Sequence, residues 1–186
     1  MVKQPRAGQV KTRLGRDIGM TAAAWWFRQQ VAGLLHRIHD PRWQTVLAVA
    51  PDRDGMLHPW PGHLTRIPQG RGDLGARMGR IMRGLPPGPV CIIGADIPGV
   101  TRSYVGRAFQ ALGRSEAVFG PAPDGGYWLI GLKRTGRIPP SLFRDVRWST
   151  EHALADTMAG LPDARIALID ELRDVDRAAD LEQACN

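Results

Sequence analysis

The chain alternates two kinds of hydrophobic pattern. Short apolar runs predict strands at Thr45–Ala50, Val90–Ile93, Ala117–Pro121 and Trp128–Leu132, with a last one at Arg165–Asp170. Leu64–Pro68 predicts a short strand near an edge. Between them, apolar residues recur at helical spacing. Residues 20–38 carry a stripe of Trp25, Trp26, Val31, Leu34, Leu35 and Ile38, with Thr21 as the expected N-cap and Asp40-Pro41 as the stop. Further helices are expected from Asp73 to about Arg83 and from Tyr104 to Leu112. Another is expected from a Ser149 or Thr150 cap to Gly160, and a short one follows Asp174-Val175-Asp176. Strands that alternate with helices predict an α/β fold with a mostly parallel sheet, and residues 1–186 read as one domain.

The run at Val90 places the first candidate chemistry. Val90-Cys91-Ile92-Ile93 has three β-branched residues and follows Pro86-Pro87-Gly88-Pro89, the pattern of a strand buried on both faces. It ends in Gly94-Ala95-Asp96, and Pro98 forbids further regular pairing. Asp96 is therefore expected at the carboxyl end of a central strand, where open α/β sheets bind ligands. A helix cap is the competing reading, but Thr101-Arg102-Ser103 is the better-placed helix start.

Three loops carry further signals. Residues 3–16 hold five cations among Pro5, Gly8, Val10 and Leu14, a pattern that suits a diphosphate better than a disordered basic arm. Only Met1-Val2 precedes that loop, so the first strand reads as truncated, or the natural start lies upstream. Gln69-Gly70-Arg71-Gly72-Asp73 enters a helix, with glycines that let a ligand come close; alone this is a common pattern. Pro123-Asp124-Gly125-Gly126-Tyr127 is a tight turn. His58 and His63 lie in a Pro/Gly loop and read as exposed loop histidines before ligands.

Composition narrows the function classes. The 43% hydrophobic and 23% charged residues are ordinary for a globular protein, and no run approaches the roughly 20 apolar residues of a membrane span. The basic start lacks the apolar segment of a signal peptide. Cys91 and Cys185 are badly placed to pair, which fits a reducing cytoplasm. The net charge is +7, and 22 of 25 basic residues are Arg. Anionic ligands and a bare compositional bias both account for this. Nucleic acid ranks last, because the Arg residues are scattered and not interleaved with aromatics.

Taken in order, the motifs resemble a bacterial family of the nucleotide-diphospho-sugar transferase superfamily, with the GT-A fold. The residues carrying the resemblance are the Lys-x-Pro-Arg-x-Gly-x-Val-Lys-Thr-Arg-Leu loop at 3–14, Gln-Gly-x-Gly-Asp-Leu-Gly-x-Arg-Met at 69–78, Gly-x-Asp-x-Pro at 94–98 and Gly-Pro-Ala-x-Asp-Gly-Gly-Tyr-x-Leu-Ile-Gly-Leu at 120–132. Trp-Ser-Thr at 148–150 and Asp-Val-Asp at 174–176 complete the set. This family was once catalogued as a domain of unknown function and is also described as arsenosugar-type glycosyltransferases.

The resemblance implies a three-layer αβα sandwich and a cytoplasmic glycosyltransferase that takes a nucleoside-diphosphate sugar, a divalent ion and an unidentified acceptor. It places Ala7 and Gly8 near the base or ribose and Lys11 and Arg13 on the phosphates. Gln69, Gly70, Asp73 and Arg77 would line the nucleotide, and Asp96 would hold Mg²⁺ or Mn²⁺. A single carboxylate plus a distant one is implied, since only Gly-Ala-Asp stands where a DxD pair is usual. Asp124 is the candidate for acceptor binding, general base or second ligand, with a plain turn residue as the competing reading. Gly125, Gly126, Tyr127 and Trp148 are candidates for the acceptor side, with burial the competing reading for Trp148. The alternatives are a nucleotidylyltransferase acting on a nucleoside triphosphate and a phosphorylated acceptor, as in related guanylyltransferases, or a non-catalytic nucleotide-binding protein.

Overall fold

The computed structural model describes residues 1–55 and 60–184. His58 and Cys185 lie outside them. The elements in chain order are β1 (Val2–Lys3), α1 (Thr12–Ile18), α2 (Met20–Arg37), β2 (Val46–Ala50), α3 (Asp52–Gly55), β3 (Thr65–Pro68), α4 (Leu74–Gly84), β4 (Val90–Ile93), α5 (Arg102–Ala111), β5 (Ala117–Pro121), β6 (Tyr127–Leu132), α6 (Ala153–Ala159), β7 (Ile166–Leu168) and α7 (Ala178–Ala184). They fall into two compact units.

The first unit comprises Met1–Pro68, Gly94–Arg102 and Arg173–Asn186. Its sheet has the order β1-β2-β3, and both pairings are parallel. Leu47, Ala48 and Val49 are buried, as an apolar parallel strand requires. The first strand is short but paired. Val2 sits opposite Val49, Lys3 opposite Ala50, and the Gln4 amide donates to the Ala50 carbonyl at 2.8 Å. In this sheet β2 is central.

Helix α2 buries Ala23, Ala24, Phe27, Val31 and Leu34, one face at helical spacing. The expected stripe is right at Val31, Leu34 and Ile38 and wrong at Trp25, which is 65% exposed. The helix begins one residue before the expected Thr21 cap. Gly19, at φ 92°, breaks α1 from α2 and provides the start without a side-chain cap. Leu14, Ala23 and Val175 form a core cluster with Trp26 and Leu181, so the C-terminal segment packs on both helices.

The second unit comprises Gln69–Ile93 and Ser103–Leu172, with strand order β4-β6-β5-β7. The Asp124-Gly125-Gly126 turn makes β5 and β6 an antiparallel hairpin, with an irregularity at Gly120/Pro121. Strand β4 is antiparallel to β6, and β7 is parallel to β5. Among the described residues, parallel pairings thus outnumber antiparallel ones by three to two, and the α/β class stands. Val118, Phe119, Leu129 and Ile130 fill the interior. In β4 only Ile92 is buried, so this strand is not covered on both faces as its composition suggested. Helix α6 starts at Ala153, after Ser149 and Thr150, and its His152 N-cap makes no side-chain capping bond. Thr150 Oγ1 instead donates to the Arg147 carbonyl at 2.7 Å.

Candidate functional site

The basic loop is ordered from its backbone outward. The Arg6 amide donates to the Gln4 carbonyl and the Gln9 amide to the Arg6 carbonyl, a tight turn that leaves Arg6, Ala7, Gly8 and Gln9 exposed. Gly8 takes φ 75°, which a side chain would oppose. Val10 is buried and pins the end of the turn. The chain then turns directly into α1, where a loop was expected to continue to Arg16. Lys11 makes the turn in the left-handed region (φ 46°, ψ 47°), and its carbonyl accepts from the Gly15 amide at 2.8 Å. A non-glycine residue held there is a strained, over-determined position.

That turn delivers the Lys11 side chain to three carboxylates. Its Nζ lies 2.5 Å from Asp96 Oδ2, 2.8 Å from Asp176 Oδ1 and 3.7 Å from Asp174 Oδ2. Arg13 adds a 2.7 Å ion pair to the other oxygen of Asp176. The arrangement follows from the local chain path. Val175 is buried, so its two acidic neighbours share the rim, and its amide donates to the Asp96 carbonyl at 3.1 Å. Asp180, in the first turn of α7, reaches back to accept from the Asp176 and Arg177 amides, while Asp17 accepts from the Ala178 amide.

The electrostatics follow the contacts. Burial acts to lower the Lys11 pKa, but Asp96 and Asp176 outweigh it and raise it above the usual 10.5. Burial acts to raise that of Asp176, but Lys11 and Arg13 hold it below the usual 3.8. Among the described residues, no three His, Cys, Asp or Glu side chains form a ready-made metal cage. The carboxylates converge on an ammonium. Hard anionic oxygens gathered around one cation are nevertheless the donor chemistry that Mg²⁺ and Mn²⁺ take, and Mg²⁺ commonly uses only one or two carboxylates beside phosphate oxygens. Sequence reasoning gave Asp174 and Asp176 no role; the acidic-x-acidic spacing around an apolar Val was the available signal.

The second unit holds the other predicted residues. Asp73 caps α4 as expected, accepting from the Ala76 amide at 2.7 Å. Gly70 (φ 78°) and Gly72 (φ 106°) take conformations that favour glycine. Arg77 Nε donates to the Gly72 carbonyl at 2.9 Å, and Arg80 donates to the carbonyls of Gln69 and Arg71 at 2.7 and 2.8 Å. Arginines therefore brace this turn from within, and Gln69 is buried.

Asp124 accepts from the Gly126 amide at 3.0 Å, the self-bonded turn of the competing reading. Gly125 (φ 80°) lies so close to the Glu151 backbone that a Cβ would clash. The Tyr127 hydroxyl lies 3.4 Å from Thr157 Oγ1, its ring packs edge-on to Phe119, and burial pushes its pKa up. Trp148 is half-buried beside Phe143, with ring centroids 6.1 Å apart and Gly75 beneath. Burial of its sulfur pushes the half-buried Cys91 thiol up to about 12, so it stays protonated at neutral pH. His63 is exposed.

Comparison with known proteins adds two findings. Residues 34–150 match the family described as "Uncharacterized protein conserved in bacteria (DUF2064)". A crystal structure from Desulfovibrio desulfuricans G20, provisionally named a nucleotide-diphospho-sugar transferase, is similar with a TM-score of 0.79 and 29% identity. The similarity covers 95% of this chain and 80% of that one. No curated protein matches the sequence. Among the described residues, no helix is long and apolar enough to cross a membrane.

Proposed function

The chain belongs to the DUF2064 family, and on that premise we propose that it is a glycosyltransferase using a nucleoside-diphosphate sugar and a divalent metal ion. Its similarity to the D. desulfuricans protein supports a nucleotide-sugar transferase-like kind. The observation that carries the finer reading is the convergence of Asp96, Asp174 and Asp176 on Lys11, beside an exposed turn at Ala7-Gly8.

Each group has a chemical task in this reading. Ala7 and Gly8 present accessible backbone to the base or ribose. Lys11 and Arg13 bring cationic heads to the two phosphates; the Arg13 side chain is 58% exposed and able to reach outward. Asp96, with Asp176 and Asp174 as the distant carboxylates, would hold Mg²⁺ or Mn²⁺. When bound, such an ion neutralises charge that builds on the leaving diphosphate. For Gln69, Gly70, Asp73 and Arg77 the nucleotide role remains a proposal from the resemblance, as does the acceptor role of Asp124, Gly125, Gly126, Tyr127 and Trp148. The turn bonds of Asp73, Arg77 and Asp124 give these three structural work of their own.

The test is calorimetry with Mn²⁺ and nucleoside diphosphates on Asp96→Asn and on Lys11→Ala/Arg13→Ala. The first variant is expected to lose metal-dependent binding while staying folded. The second is expected to weaken binding of every diphosphate by about tenfold or more. Unchanged Mn²⁺-dependent affinity in Asp96→Asn removes Asp96 from the metal role. Release of pyrophosphate from a nucleoside triphosphate, with no turnover of a sugar nucleotide, reassigns the chain to nucleotidyl transfer.

A further inference from the structure

We infer that Arg80, which lies outside every motif of the resemblance, is a positioning residue for the proposed nucleotide site, holding the Gln69–Asp73 turn in the backbone arrangement that the nucleotide meets. The inference rests on the function proposed above and deepens it, adding a residue that acts through the turn.

Arg80 grips the turn on both sides of Gly70. Its Nη1 donates to the Gln69 carbonyl at 2.7 Å and its Nη2 to the Arg71 carbonyl at 2.8 Å. A rigid planar fork of donors can hold two carbonyls at once, whereas a lysine ammonium is a point charge on a flexible stem. Arg77 Nε adds a 2.9 Å bond to the Gly72 carbonyl. Three carbonyls of this short turn are thus drawn toward the side chains of α4.

That pull orients the amides as well. In a trans peptide the carbonyl and the following amide point in opposite directions. The amides of Gly70, Gly72 and Asp73 are therefore turned away from the guanidinium that holds each peptide plane. Backbone amides set side by side in this way suit an anionic or polar ligand group.

Gly70 is matched to Arg80 in two ways. Its φ of 78° brings the carbonyls before and after it to one guanidinium. A Cβ at Gly70 would also run into Nη1 and Cζ of Arg80, so the guanidinium fills the place that a side chain would take. Arg83, one turn further along α4, carries the same charge but is exposed and lies against Gly79.

The full chain and its variants are titrated calorimetrically with ADP, GDP, CDP and UDP in Mn²⁺ buffer, well below each melting temperature. Arg80→Met is expected to bind the diphosphate that wild type accepts at least about tenfold more weakly while staying folded. Arg80→Lys, which reaches one carbonyl, is expected to recover part of the loss. Arg83→Met, an equal loss of charge, is expected to bind as wild type does. Hydrogen exchange at the amides of residues 70–73 is expected to be faster in Arg80→Met, with β5 and β6 unchanged. Gly70→Ala is expected to weaken binding in wild type but to add less than about twofold to Arg80→Met, because both changes remove the same grip.

Diphosphate affinity equal to wild type in Arg80→Met overturns this inference and leaves the proposed function standing. Equal losses in Arg80→Met and Arg83→Met overturn it in favour of net charge. Weaker binding without faster exchange in the turn, or full additivity with Gly70→Ala, also overturns it. If Arg80→Met does not fold, Arg80→Lys decides, and wild-type affinity there overturns the inference. No diphosphate binding to wild type overturns both this inference and the proposed function.

Discussion

At the scale of single residues, the Lys11 cluster makes acid and base stability asymmetric in a readable way. The Asp176 carboxyl is lowered in the folded chain, so its contribution is present above the usual 3.8 and is lost as pH falls through the folded value. The Lys11 pKa is raised, so its contribution is complete below 10.5 and is lost as pH rises through the folded value. In metal-free buffer, the stability gap between wild type and Asp176→Asn is therefore expected to be flat from about pH 5 to 9 and to shrink below about pH 4. Denaturant melts across that range check it; a gap that widens on acidification contradicts the pairing. The sequence placed Asp96 just past the β4 run, as observed, but β4 is an edge strand of its sheet and not the central strand expected, and Lys11 stands at the start of α1 and not within a continuing loop. It did not show that Lys11 bonds Asp176, because the two are 165 residues apart and no local pattern records such a contact.

At the scale of elements, the helix α4 entry is where sequence and structure agree most closely. Asp73 caps the helix as its position predicted. Asp73→Ala is expected to cost about 1 kcal/mol, a fall in melting temperature of roughly 2–4 °C, and Asp73→Asn to restore most of it. Calorimetric melts decide this; a neutral Asp73→Ala would mean that the Arg77 and Arg80 bonds hold the turn without the cap. Other elements were harder to read for identifiable reasons. Helix α1 was hidden because a lysine, not a glycine or a capping residue, takes the left-handed position that starts it. The hairpin turn was legible in Asp124-Gly125-Gly126. Periodicity does not distinguish parallel from antiparallel neighbours, so the pairing of β4 with β6 was not. Trp25 was placed in the core stripe on residue type, yet the helix turns it outward.

At the scale of the whole molecule, the order of the motifs carried more than any one of them. Four weak signals in sequence pointed to one family, and the family match and the similar crystal structure agree with that reading. The alternation of strands and helices was legible, because buried strands and amphipathic helices leave different periods in the chain. Substrate identity was not legible, since the base, the sugar and the acceptor are recognised by shapes that the motifs do not encode. The most direct measurement is a thermal-shift panel of nucleoside diphosphates, nucleoside triphosphates and sugar nucleotides, each with and without Mn²⁺. A sugar nucleotide and its diphosphate should raise the melting temperature only when Mn²⁺ is present, and by more than any triphosphate does. Equal melting temperatures across the whole panel, with or without Mn²⁺, would contradict a metal-dependent nucleotide-sugar site.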